Sequence, residues 1–168
     1  MEPIWIKTAR QFIGQKEIPG AQSNSWILSL WQPIPWIWST VTRRDDTLLP
    51  WCGAFVRFVL VQCGLVPPKE WYRARGFIGY GVKLGAPVLG AIGVVKNSRG
   101  QYHVGFVVGR DNAGNVILLG GNQNDQVKLS AFKPTAFVAY SWPDSNLADI
   151  PMAGSLPILS AALSTSEA

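Results

Sequence analysis

Pro50-Trp51-Cys52-Gly53-Ala54-Phe55-Val56 opens an apolar run that continues through Leu60 and stops at Gly64 and Pro67-Pro68. Such a run, ended by glycine and proline, predicts a helix over 51–63. Cys52 then stands in the first turn, where unpaired backbone N–H groups and the positive end of the dipole favour a thiolate. The acids of Asp45-Asp46-Thr47 precede that turn and complement the same positive end. The chain's single histidine opens a second apolar run, His103-Val104-Gly105-Phe106-Val107-Val108-Gly109, which reads as a strand. A thiol at a helix start and an imidazole on a strand are the two parts of a cysteine nucleophile and its base.

Outward from this pair, residues 3–14 read as a helix, with Pro3 in its first turn and Ile4, Trp5, Ala9, Phe12 and Ile13 near helical spacing. Ser23 or Asn24 caps a second helix running to about Trp31. Gln32-Pro33-Ile34-Pro35-Trp36-Ile37-Trp38 reads as an apolar loop, and a short helix is expected over about 69–80. Beyond Gly90 the texture changes to strands, expected at 91–96, 103–110, 115–119, 126–129 and 135–142. Helices followed by a meander of about five strands make the class α+β. The expected domain is 1–143, with a Ser/Ala/Leu-rich tail over 144–168.

Composition narrows the function. In 168 residues, 48% are hydrophobic and 15% charged, which suits one globular domain and argues against disorder. Most of the eight tryptophans are expected in the core and in groove walls. Fifteen Lys and Arg against ten Asp and Glu give a charge of +5. These cations are scattered, which disfavours a nucleic-acid module and suits attraction to an anionic surface such as a bacterial wall. Cys52 and Cys63 on one helix would lie roughly 16 Å apart along its axis, too far for a bridge. No apolar run is long enough to span a membrane, and the first residues do not read as a signal peptide. Synthesis in the cytoplasm is therefore expected, with a helper for action outside it.

Asp111-Asn112-Ala113-Gly114 is a turn between two strands. A two-residue loop at Asn112-Ala113 gives paired positions that sum to 225 and sets His103 opposite Asn122. A loop longer by one residue sets it opposite Gln123. Either amide would fix the imidazole tautomer and leave the other ring nitrogen to face the thiol.

The order Cys, His, amide resembles the papain-like wall hydrolases of the NlpC and CHAP type. Several stretches resemble one phage-associated subfamily of small single-domain peptidoglycan hydrolases. They are Gln15-Lys16-Glu17-Ile18-Pro19-Gly20, the Cys52 and His103 segments, Ala74-Arg75 with Gly81, Leu119-Gly120-Gly121-Asn122-Gln123, and Tyr140-Ser141-Trp142-Pro143. The segment from Trp31 to Arg44 is longer and more aromatic than that subfamily leads one to expect, and Gly53 stands where Ser or Ala is common. The resemblance implies a papain-like α+β fold with Cys52 as nucleophile, His103 as base and Asn122 as orienter. It also implies that Asp46, Trp51, Gln123 and Glu17 border the substrate groove, with Glu17 read first as an ion-paired structural acid. The substrate implied is a stem-peptide amide of peptidoglycan, cut without cofactor or metal by a monomer, with no nucleic acid and no stable membrane insertion. A phage lysin delivered through a holin, or an effector injected by a secretion apparatus, would supply the setting.

Other readings fare less well. A zinc amidase needs about three protein ligands, commonly two or more histidines. A calcium loop would be richer in acids than Asp45-Asp46. A glycosidase would need Glu17 paired with Asp45 or Asp46, which nothing in the spacing favours. A non-catalytic wall-binding or virion component, and a cytosolic acyltransferase on the same fold, are separable by whether wall fragments are released.

Overall fold

A computed structural model describes residues 1–19, 22–41, 46, 47 and 49–164. Among the described residues four helices precede the sheet: α1 (Ile4–Arg10), α2 (Ser25–Ser29), α3 (Pro35–Val41) and α4 (Cys52–Gln62). Six strands follow: β1 (Val82–Leu84), β2 (Ile92–Lys96), β3 (Tyr102–Arg110), β4 (Val116–Gly120), β5 (Lys128–Phe132) and β6 (Phe137–Trp142). The result is an α+β fold whose sheet runs β1-β6-β2-β3-β4-β5, every neighbouring pair antiparallel. The helices α1 and α4 pack together, and α4 lies across β3 and β4. The α4 sequence is apolar on nearly every face, and Ala54, Phe55, Val56, Val59 and Leu60 have no exposure at all. Each such large side chain contributes about 1.5–3 kcal/mol through burial. That helix is therefore the central post of the core, and the cysteine sits at its top.

Two local expectations need correction, one strand was not expected, and one alternative is resolved. The Gln32–Trp38 stretch is no loop in its second half, because α3 begins at Pro35. Proline is tolerated in a helix's first turn, and burial of Ile34 and Ile37 holds α3 against the core. The expected helix over 69–80 shrinks to a 3-10 turn, Ala74–Phe77. The short strand β1 was not foreseen; its three residues pair with Tyr140–Trp142 at the sheet edge. Asn24, rather than Ser23, caps α2, its Oδ1 accepting from the N–H of Trp26 and Ile27.

The segment 144–164 is more than an appendage. Ile158 bridges Arg110 and Leu163 bridges Ala131, both in parallel sense. Ala131 donates to Ala162 O and accepts from Ser164 N, so the tail pairs with the outer edge of β5. An open edge strand templates intermolecular pairing. Truncation after Gly154 is expected to leave a folded but self-associating protein, a rise in apparent mass that light scattering would register. A monodisperse truncated chain would show that the edge needs no cover.

Candidate active site

Cys52 is the first residue of α4, and Trp51 occupies the N-cap without a side-chain hydrogen bond to the turn. The α4 first turn holds no acid of its own. Its leading N–H groups and dipole therefore act on the thiol without a neighbouring carboxylate on the same turn. Cys52 is buried.

Gly120 and Gly121, at the end of β4, are the seam between helix and imidazole. A Cβ on Gly121 would stand 2.4 Å from the Trp51 ring and 2.7 Å from Phe55 Cβ. One on Gly120 would stand 3.1 Å from Gln123 Oε1 and 3.2 Å from His103 Nε2. Successive residues of a strand face opposite ways, so one glycine admits α4 and the other admits the imidazole. This close approach is why two glycines stand together.

His103 lies in β3 opposite Val95 and is 3% exposed. Its ring stacks on Phe132 with centroids 5.6 Å apart. His103 Nε2 lies 3.1 Å from Gln123 Oε1. The Gln123 amide has only one acceptable orientation. Its Nε2 donates to Leu118 O at 3.3 Å and to Lys128 O, so its oxygen faces the imidazole. An oxygen accepts only, which puts the proton on His103 Nε2 and leaves Nδ1 as the basic nitrogen. Gln123 is completely buried, as a fixed orienter should be.

Asn122 does not hold this position. The strand register explains both the near miss and its cause. Phe106 pairs with Leu119 and Val107 with Leu118, each summing to 225, whereas Arg110 pairs with Val116 after a bulge between Val107 and Gly109. Asp111 and Asn115 close the turn, so the loop is one residue longer than two and the bulge restores the shorter register. The β4 strand then ends at Gly120, and Asn122, Asn124 and Asp125 all take positive φ (58°, 49° and 61°). Asn and Asp tolerate this region better than other side-chain-bearing residues. Their tight loop swings Gln123 inward while Asn122 serves as a corner, half-buried.

Of the expected groove residues, Gln123 meets the imidazole, while Trp51, Asp46 and Glu17 make structural contacts. Trp51 has no exposure; its indole donates to Glu17 Oε1 at 2.7 Å, and its ring meets Trp26 edge-on. Asp46 is 2% exposed and accepts from the backbone N–H of Ile18 and Asn24. It thereby fastens Ile18 and Asn24; Asp45 lies outside the described residues. Glu17 thus buttresses the N-cap residue through its indole. The same segment runs beside the orienter's loop, Glu17 N donating to Asp125 O and Val127 N to Gln15 O. Among the described residues no group of three or more His, Cys, Asp or Glu is gathered to hold a metal ion, and no helix is long and apolar enough to cross a membrane.

Sequence reasoning missed the 71–73 segment. A Cβ on Gly53 would lie 2.3 Å from Trp71 O, so that backbone rests directly on the residue after the thiol. Arg57 of α4 backs the contact, its guanidinium 5.1 Å from the Trp71 ring centroid and its pKa lowered by burial. Gly53→Ala is expected to cost about 1–3 kcal/mol by overpacking. Thermal unfolding would measure the loss, and an unchanged midpoint would mean the segment yields freely. The only available signal was Gly53 itself, where a Cβ-bearing small residue was expected.

Residues 44–122 match the CHAP domain family. The match begins before α4, ends one residue short of Gln123 and encloses both Cys52 and His103. No curated protein and no solved structure matches the chain.

Proposed function

We propose, from the match of residues 44–122 to the CHAP domain family, that the protein is a peptidoglycan hydrolase of amidase or peptidase type in which Cys52 is the nucleophile, His103 its base and Gln123 the orienter. The observation that carries this reading is the His103 Nε2–Gln123 Oε1 bond, which leaves Nδ1 as the nitrogen available to a thiol. In the proposed reaction the Cys52 thiolate attacks the carbonyl carbon of a stem-peptide amide. The tetrahedral oxyanion is met by backbone N–H groups at the start of α4. The C–N bond breaks as the imidazolium gives its proton to the leaving amine, and a thioester remains. His103 then takes a proton from water, whose oxygen attacks the thioester and releases the acid and the thiol. Asn122, first assigned as orienter, becomes the corner that lets Gln123 reach the ring.

The setting proposed is a phage lysin, on the strength of the subfamily segments quoted above. Mass spectrometry of purified peptidoglycan after incubation tests the reaction. A free amino terminus on the first stem residue would identify a muramoyl amidase, and a shortened stem a peptidase. New reducing sugar ends, or no soluble product, would overturn the proposal.

A further inference from the structure

A cleft of about 290 Å³ lies between α3 and the 71–73 segment, and its lining reaches Pro50, two residues before Cys52. Trp31, Trp36 and Ile37 line it from one side and Tyr72 and Arg73 from the other, with Leu49 and Pro50 completing the lining. Trp36 is 67% exposed at its rim, an unusual place for an indole, and meets Tyr72 edge-on at 6.5 Å. Arg73 holds its guanidinium 5.4 Å from the Tyr72 ring centroid, and among the described residues no carboxylate pairs with it. Among the described residues no acid lines the cleft. Trp71, next in the chain to Tyr72, is in contact with Gly53 of the thiol's helix, which ties that side of the cleft to α4.

We propose that this cleft is the subsite for the portion of the stem peptide that bears a free carboxylate near the scissile amide. Arg73 receives the carboxylate, and the aromatic walls receive the adjoining apolar surface. The assignment rests on the hydrolase reading above. Aromatic walls alone would accept a sugar face or an apolar side chain equally well; a guanidinium that no carboxylate of the described residues pairs, in a lining where they place no acid, adds the preference for an anion. A stem residue joined through its side-chain carboxyl keeps its α-carboxyl, free or amidated according to the wall. That group lies within two residues of a muramoyl–alanine bond and of the first peptide bonds of the stem. The subsite would therefore distinguish walls by amidation.

The test compares soluble disaccharide-peptides whose α-carboxyl is free or amidated. Wild type is expected to favour the free acid in kcat/KM by about tenfold, the worth of one charge-assisted hydrogen bond. In Arg73→Gln that ratio is expected to fall to about one by the same reasoning, through loss on the free acid. Trp36→Ala is expected to weaken both substrates. Equal rates in wild type, or an undiminished preference in Arg73→Gln, overturn the assignment. Calorimetric binding of the same two fragments to Cys52→Ala separates the two claims. If wild type releases nothing yet Cys52→Ala binds the free acid preferentially, and adding Arg73→Gln abolishes that preference, the subsite stands and the hydrolase reading falls. Absence of both turnover and preferential binding overturns both.

Discussion

Cys52→Ala is expected to reduce fragment release from peptidoglycan by about 10⁴-fold or more, the scale on which loss of a covalent nucleophile is felt. The fold should survive it. Cys52 is buried in the first turn, where alanine fills nearly the same space and propagates a helix well. Thermal unfolding of the variant should therefore stay near that of the wild type. Cys63→Ser is the matching control. Cys63 is the C-cap of α4, half-buried, with its sulfur 3.5 Å from Thr8 Oγ1. A hydroxyl fits that polar contact, and turnover should remain. Inactivation by the Cys63 change with activity surviving in Cys52→Ala would invert the assignment of the two thiols.

Gln123→Leu carries the second largest expected effect. Leucine approximates the shape but neither accepts from His103 nor donates to Leu118 O and Lys128 O. Without an acceptor on Nε2 the imidazole can carry its proton on Nδ1, the wrong nitrogen for a base facing the thiol. A loss of about 10²–10⁴ in kcat is expected, by analogy with loss of a triad orienter. Each stranded carbonyl costs about 1–3 kcal/mol as well. Two measurements separate positioning from simple unfolding. The fall should appear in kcat while KM changes little, and Gln123→Glu, which keeps an acceptor oxygen, should recover part of kcat despite its poorer fit to the carbonyls. Asn122→Gly should be nearly silent, since glycine adopts the positive φ of 58° at that corner without strain. A large loss at Asn122 with none at Gln123 would return the orienting role to the asparagine.

The contrast between these two neighbours shows what was legible in the chain. The start of α4, the strand carrying His103 and the succession of helices then strands followed from local signals: an apolar run bounded by Pro and Gly, alternating β-formers, and turns rich in Asn, Asp and Gly. The helix α3 and the vanished helix over 69–80 did not. Proline at a helix start and proline in a loop look alike until Ile34 and Ile37 find the core to bury against. Likewise, the burial of Trp51 and Asp46 and their hydrogen bonds to Glu17, Ile18 and Asn24 could not be read from their places near the thiol in sequence.

By itself, the sequence determined the α+β class and the two residues on which cysteine chemistry would rest, because a sole histidine and a thiol at a helix start leave no rival pair. Tertiary structure alone decided which amide meets the imidazole. A bulge in β3 and three left-handed residues after Gly121 change which side chain points inward, and no local propensity encodes their sum. It alone also brought Trp71–Arg73 onto Gly53 and α3 opposite them, since that cleft is made by segments distant in the chain whose only common interest is burial.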